Sequence, residues 1–359
     1  MNRGRRVVVV ARLDDSKLQS KVAPLVGLDG VDEVVVVRRS PLSLDGVRSV
    51  CPPEALRHAS WSAEPWRFAT LLREAARQPE RTVVVSFYLM PHGLFAEWTR
   101  QLVRVPTIQM LIGDEDVERV ETSPFFRRAI ESAHAVGLRG PRSVERLAAL
   151  GLPRERLFAP PNVYDVSAFR PDPHAVQDVD VAFVGKFYGS KRLDVLLEAA
   201  ARVRARRGAL RVVLIGDGRD RPQVESLARQ LGLAGDVTIT GTLAPRDIAA
   251  WLRRARLFVM TSEQEGLPMA MIEAMTCGLP AVIGDIGDVT SVARHMENAW
   301  IVPERTPAAF ADAITRLLDD EALRLRLAAG ATAMGERFAR EYTLETARAA
   351  WRPVLASLA

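Results

Sequence analysis

The sequence predicts an α/β protein of two doubly wound parallel-sheet domains, and three observations carry that expectation. Short apolar runs alternate with amphipathic segments along nearly the whole chain, the pattern of parallel strands joined by crossover helices. The 359 residues exceed what one hydrophobic core usually serves, and an apolar content of 48% suffices for two. The alternation stops at PPNVYDVSAFRPDPHAVQD, residues 160–178, whose four prolines and lack of periodicity read as a linker. Domains are therefore expected over 1–165 and 179–340, with a linker at 166–178. A C-terminal helix over 341–359 is expected to pack back toward the first domain.

In the first half, residues 7–10 read as a strand, 16–26 as a helix and 34–37 as a second strand. Residues 40–65 are rich in Pro and Ser and suggest no clear element. A helix over 67–77, a strand over 83–87, a helix over 94–103 and a strand over 107–112 follow. Segments 124–131, 135–138 and 143–150 continue the alternation. The second series has strands at 181–184, 211–215, 237–240, 257–260 and 281–283. Helices are expected between them at 193–203, 222–231, 244–253 and 268–277, then at 307–318 and 322–338. The last segment, 343–358, is amphipathic and carries Trp351.

Composition narrows the function classes. A net charge of +5 permits anionic partners, but no zinc-ligand spacing and no basic run interleaved with aromatics favours nucleic acid. No apolar run approaches 18 residues, so no membrane span is expected. Aromatics mix with arginine at 66–77 and 124–128, which leaves a peripheral membrane contact open. Cys51 and Cys277 stand in unrelated contexts and are expected as reduced thiols of a cytoplasmic protein, at the inner membrane surface if it meets a membrane. Four of the 49 basic residues are lysines, confined to two short loops as Lys17 and Lys21, and Lys186 and Lys191.

The most specific stretch is EGLPMAMIEAM, from Glu265 to Met275, behind the strand at 257–260. Pro268 suits a first helical turn, and the free amides of Met269 and Ala270 then point out of a helix N-terminus, an anion site. Glu265 before that terminus and Glu273 inside the helix add carboxylates, which suit a ligand with hydroxyls as well as phosphates. The segment resembles the E-x7-E motif of retaining GT-B glycosyltransferases of family 4, the group 1 glycosyl transferases.

Other segments are similar to the same family. VGKFYGSKR, 184–192, resembles its G-R-x4-K segment: Gly185 and Lys191 match, and Lys186 replaces arginine, keeping the charge without the planar fork. GDG from Gly216 resembles the family's turn beside the nucleotide; a dinucleotide fingerprint would need glycine at Arg221. VTITGTLAPRDI resembles the stretch whose backbone meets the base, with Thr242 and Leu243 as neighbours. His92 is expected on a loop facing the cleft near the donor sugar, and Asp114 among the acids that meet acceptor hydroxyls. The family's Gly-Gly pair after the first strand is missing, since the chain reads ARLDDSKLQSK. Lys17 and Lys21, four apart on one helix face, are expected to meet the donor's distal phosphate or an anionic acceptor.

The resemblance implies a GT-B fold, two Rossmann-like domains facing a cleft, and transfer from a nucleoside diphosphate sugar to an acceptor hydroxyl with retained anomeric configuration. Glu265, His92, Lys186 and Lys191 would be catalytic. Glu265 would hold sugar hydroxyls, Glu273 the ribose, and the Met269 and Ala270 amides with the two lysines the diphosphate, with Gly266 and Leu267 also donor-binding. No metal or cofactor is implied; the partners are a nucleotide sugar and a glycan, lipid or small-molecule acceptor. A nucleotide-sugar epimerase, a dinucleotide oxidoreductase and a non-catalytic nucleotide-sugar-binding subunit are the alternatives on this scaffold.

Overall fold

A computed structural model describes residues 4–54 and 60–358. The chain forms two compact units, 1–164 with 341–359, and 165–340. The first unit begins with β1 (Arg5–Val10), α1 (Asp15–Val22), β2 (Val31–Val37), β3 (Val47–Val50) and α2 (Ser60–Ala76). It continues with β4 (Thr82–Phe87), α3 (Leu94–Val103), β5 (Thr107–Met110), α4 (Asp114–Thr122) and α5 (Pro124–Glu131). β6 (Ala135–Gly137), α6 (Pro141–Ala149) and β7 (Leu157–Phe158) complete its sheet, ordered β3-β2-β1-β4-β5-β6-β7 with parallel pairing throughout.

Valine runs make these strands because both faces are covered, and β-branched side chains suit a pleated, buried surface. Val7 and Val9 enter one core with Leu18 and Val22 of α1. Val8 and Val10, on the opposite face, pack with Leu71 and Ala75 of α2 and with Phe95 of α3. The two-residue strand period thus divides one VVVV run between two cores.

The second unit holds β8 (Val179–Val184), α7 (Leu193–Arg207), β9 (Val212–Ile215), α8 (Arg221–Gln230), β10 (Val237–Gly241) and α9 (Pro245–Arg254). Then come β11 (Ala255–Met260), α10 (Met269–Thr276), β12 (Ala281–Gly284), β13 (Ala299–Val302), α11 (Pro307–Asp319) and α12 (Glu321–Glu341). Its sheet is parallel and ordered β10-β9-β8-β11-β12-β13, so the winding reverses between β8 and β11. The last helix, α13 (Leu344–Ala356), belongs to the first unit, where Trp351 and Leu355 join the α1-side core. Among the described residues no helix is long and apolar enough to cross a membrane.

Several elements differ from the sequence expectation. Within 40–65 lies β3, a half-buried edge strand too polar to stand out, and α2 begins at Ser60 with Pro65 inside it; residues 55–59 lie outside the described set. β5 ends at Met110, and Asp114 to Asp116 form the acidic first turn of α4, where the helix dipole favours them. Residues 166–178 are strapped to the second unit and do not hang free. Val166 and Phe169 are buried, Arg253 donates to the carbonyls of Ala168 and Arg170 at 2.9 Å, and Arg254 binds Asp178 through two bonds of 2.7 and 2.8 Å.

Candidate active site

In an open parallel sheet the loops at the carboxyl ends of the strands meet where the winding reverses, and ligands bind there. In the second unit that point lies between β8 and β11. The loop after β8 carries Lys186 and Lys191; the loop after β11 carries Glu265 and leads into α10.

Lys191 and Glu265 form a hydrogen-bonded ion pair across the switch point, both partly exposed. Three contacts hold the lysine loop and the glutamate loop together. Thr261, buried just past β11, donates its hydroxyl to the carbonyls of Lys191 and Arg192 at 3.1 and 2.8 Å. The amide of Glu263 donates to the carbonyl of Ser190 at 2.9 Å, and the Arg192 guanidinium pairs with the Glu263 carboxylate. Glu265 is backed from the other side: Asp288 donates its amide to the carbonyl of Gly266 at 3.1 Å. A Cβ on Gly287, at φ +50°, would sit 1.9 Å from the Glu265 carbonyl oxygen, so glycine is required for this approach.

α10 starts at Met269, one residue later than its sequence suggests, because Pro268 is extended at ψ 108° and acts as the N-cap. The amides of Met269 and Ala270 remain the first of the helix, and the Pro268 carbonyl already accepts from Met271 at 3.2 Å. Glu273 is buried at 7% exposure and is no solvated helix acid. Cys277 closes the helix in a buried position that pushes its thiol up to about 12, which removes it as a nucleophile.

The GDG turn has a packing reason. A Cβ on Gly216 would lie 1.9 Å from the Gly185 carbonyl oxygen, and one on Gly218 would lie 2.4 Å from that of Phe187. The two loops are stitched by Gly185 N to Ile215 O at 3.0 Å and Phe187 N to Asp217 O at 2.9 Å. Gly185 and Gly216 thereby set the height of the Lys186 backbone, and Lys186 itself is exposed. Thr242, exposed, and Leu243, half-buried, follow β10 at the same sheet edge.

The acceptor-side candidates all lie in the first unit. Asp114 pairs with Arg146, which also binds Glu121 at 2.7 Å. His92 is not on an open loop: residues Leu89–Gly93 form a single π-helical turn, and the imidazole is 1% exposed. Its Nδ1 donates to the Phe87 carbonyl at 3.1 Å, and Nε2 accepts from buried Arg67 at 3.4 Å. Burial, then the Arg67 charge, lowers its pKa to about 4. Beside the same turn Asp116, fully buried, accepts from the Leu89 amide at 3.2 Å, and burial raises its carboxyl to about 6. Lys17 is exposed on α1, and Lys21 donates to Oδ1 of Asn162 at 2.7 Å.

Residues 168–334 match the family described as glycosyl transferases group 1. The matched residues all lie in the second unit. Over 168 residues the chain is 35% identical to an alpha-D-kanosaminyltransferase of Streptomyces kanamyceticus, covering 46% of this chain and 42% of that one. It is 28% identical over 305 residues to a D-inositol 3-phosphate glycosyltransferase of Jonesia denitrificans, covering 76% of this chain and 72% of the relative. The chain thus spans under half the length of the first curated relatives it matches, 42% and 47%. Anabaena HepE, solved in complex with UDP, superposes with a TM-score of 0.75 at 16% identity, covering 98% of this chain and 100% of that one. A sucrose-phosphate synthase from Thermosynechococcus elongatus gives 0.72 at 16% identity, with 99% and 97% covered. The fold is GT-B, with two parallel sheets flanked by helices.

The matched region therefore contains Lys186 and Lys191, in the loop after β8, and Glu265 and Glu273, in the loop and helix after β11. The sequence did not single out Thr261 or Glu263, which tie the two site loops, because neither residue type is unusual there. The one local signal is that both directly follow β11, at the carboxyl end of a central strand.

Proposed function

We propose that the protein is a glycosyltransferase that moves a sugar from a nucleoside diphosphate sugar to an acceptor hydroxyl, retaining the anomeric configuration and using no metal. The observation that carries this reading is the Lys191–Glu265 pair at the switch point, beside the first amides of α10. Lys186, Lys191 and those amides supply the positive charge that a diphosphate needs, so the leaving group is stabilised without a divalent cation. Glu265 accepts from sugar hydroxyls, and Glu273, one turn into α10, lies toward the ribose. His92 acts at the sugar through the backbone turn it fixes. The group 1 match over 168–334, and the UDP and UDP-glucose complexes of HepE, support the donor class.

The test is a thermal-shift screen of nucleoside diphosphate sugars, followed by transfer in excess EDTA and NMR of the product anomer. A donor at 100 times its Kd stabilises the folded state by about 2.7 kcal/mol. Loss of turnover with EDTA and its return with Mg²⁺ or Mn²⁺ would remove the metal-free mechanism. An inverted product would remove the retaining one.

A further inference from the structure

The first unit has an open cavity that holds none of the residues proposed for transfer. It measures about 790 Å³ and lies between the last turn of α3 and the segments that lead into β5, β6 and β7. Those strands are neighbours in the sheet, so the cavity sits at its amino edge, whereas His92 and Asp114 follow β4 and β5 at the carboxyl edge. Its size suits a sugar phosphate or a nucleotide.

The lining is cationic. Among the described residues Arg100, Arg104, His134 and Arg156 line it with one carboxylate, Glu155. Arg100 is already matched: buried Glu97 accepts from its Nε and Nη2, each at 2.8 Å, and from Gln101 at 2.8 Å and Ser132 at 2.5 Å. That network fixes one wall in place without a ligand. Arg156 donates to the Glu131 carbonyl at 3.1 Å and pairs with no carboxylate among the described residues. Arg104 caps α3 at φ 61°; its exposed side chain makes no hydrogen bond or ion pair with a described residue.

β6 is the middle strand of the three, so His134 lies between Arg104, before β5, and Arg156, before β7. Its Nε2 meets Ser357 Oγ at 2.9 Å. Burial lowers the His134 pKa; a bond to the Val354 carbonyl opposes this, and the charges of Arg156 and Arg5 lower it further. The imidazole therefore stands in a positive surround, which an anion in the cavity would offset. Beside the α3 wall, Leu102 is 69% exposed and Trp98, one turn earlier, 42%.

We propose that this cavity binds the phosphate of a phosphate-bearing ligand, at a site separate from sugar transfer. Arg104 and Arg156 hold the phosphate oxygens from two sides through charge-assisted hydrogen bonds, which the planar guanidinium fork favours. The inference does not depend on the glycosyl-transfer reading. A soluble phosphomonoester and a phospholipid headgroup offer the same chemistry; with the headgroup, Leu102 and Trp98 enter the bilayer.

The experiment follows the His134 imidazole by NMR and binding by calorimetry, on the full chain in phosphate-free buffer. The probes are inorganic phosphate, glycerol 3-phosphate, glycerol, and phosphatidylcholine vesicles with and without phosphatidate. At least one phosphate-bearing probe should bind and raise the His134 pKa, whereas glycerol and pure phosphatidylcholine should do neither. Arg104→Asn, which suits left-handed backbone, and Arg156→Gln should each weaken that binding about tenfold or more, the scale of a charged hydrogen bond. Lys186→Met/Lys191→Met should leave it unchanged, which separates this cavity from the second unit. A preference for glycerol 3-phosphate over phosphatidate vesicles assigns a soluble ligand. The reverse preference assigns a headgroup, and Leu102→Ser should then weaken the vesicle arm alone. No phosphate-bearing probe bound below about 10 mM, an affinity that survives both arginine substitutions or is lost in the lysine variant, or an unmoved His134 pKa overturns the proposal.

Discussion

Lys191 binds the Glu265 carboxylate, so in the proposed reaction an incoming diphosphate would compete with Glu265 for one ammonium. The exchange would have a chemical consequence: with the phosphate on Lys191, the carboxylate would be freed to accept from sugar hydroxyls. A charge pair at about 4 Å and an effective dielectric near 20 is worth up to about 4 kcal/mol before desolvation is subtracted, so the competition is not negligible. Glu265→Gln should therefore leave UDP binding unchanged or somewhat tighter, while transfer falls roughly 10²–10³-fold, the scale of one preorganised polar contact. Turnover near the parent rate in that variant would take Glu265 out of the reaction. Thr261 tests the support under the pair. Thr261→Val keeps the shape and removes the donor to the Lys191 and Arg192 carbonyls, at a cost of about 1–3 kcal/mol in stability. UDP affinity should fall with it, because the lysine loop loses its attachment to β11. Unchanged UDP affinity alongside the stability loss would show that Lys191 finds its place without Thr261.

The turn after β4 shows what an element adds to its residues. His92 caps the Phe87 carbonyl from within the turn, and Asp116 of α4 holds the Leu89 amide from outside it. Their titrations oppose each other. The folded His92 pKa, about 4, is below its ordinary 6.5, so the fold binds fewer protons than the unfolded chain between those values. His92 thus contributes about 3 kcal/mol above pH 6.5 that is lost as the pH falls toward 4. The folded Asp116 pKa, about 6, is above its ordinary 3.8. Its contribution, also about 3 kcal/mol, is present below pH 3.8 and lost as the pH rises through 6. Between about pH 4 and 6 the two slopes cancel in the parent protein. Asp116→Asn, which still accepts from Leu89, should make stability rise with pH across that window; His92→Asn should make it fall. Denaturant midpoints measured at several pH values decide this, and variants that follow the parent slope would show that neither group titrates as stated. None of this was legible in the sequence. His92 and Asp114 stood out as loop candidates because each follows a strand, whereas Asp116 did not; the burial of His92 depends on α2, which supplies Arg67 and starts inside the stretch with no readable pattern. The candidate loops were readable for a local reason: Lys191 lies in the loop after β8, and Glu265 and α10 follow β11, both central apolar strands. The Lys191–Glu265 contact spans 74 residues and belongs to the sheet order, which no local pattern carries.

At the scale of the molecule, the chain closes its first unit with residues from both termini. The amphipathic C-terminal segment was readable from Trp351, and its ring now lies 2% exposed against the α1-side core, edge-on to Phe158 at 5.1 Å. Arg348 of the same helix donates to the Val26 carbonyl at 2.5 Å, and Ser357 meets His134 at 2.9 Å, so α13 is fastened along its length. The second unit has a separate core, built from β8, β9, β11 and α7 with Phe310 and Leu317 of α11. Two cores of this kind are expected to unfold as two transitions. Trp351→Ala removes a large buried ring and should cost about 3–5 kcal/mol, all of it in the first unit. UDP, if it acts at Lys186, Lys191 and α10 as proposed, should raise the other transition by about 2.7 kcal/mol at 100 times its Kd. Scanning calorimetry of the parent and the Trp351→Ala variant, each with and without UDP, separates the two. The transition that falls in the variant should be the one UDP leaves in place. If UDP raises the transition that Trp351→Ala lowers, the nucleotide does not act on the second unit alone, and the assignment of the donor site to that unit is wrong.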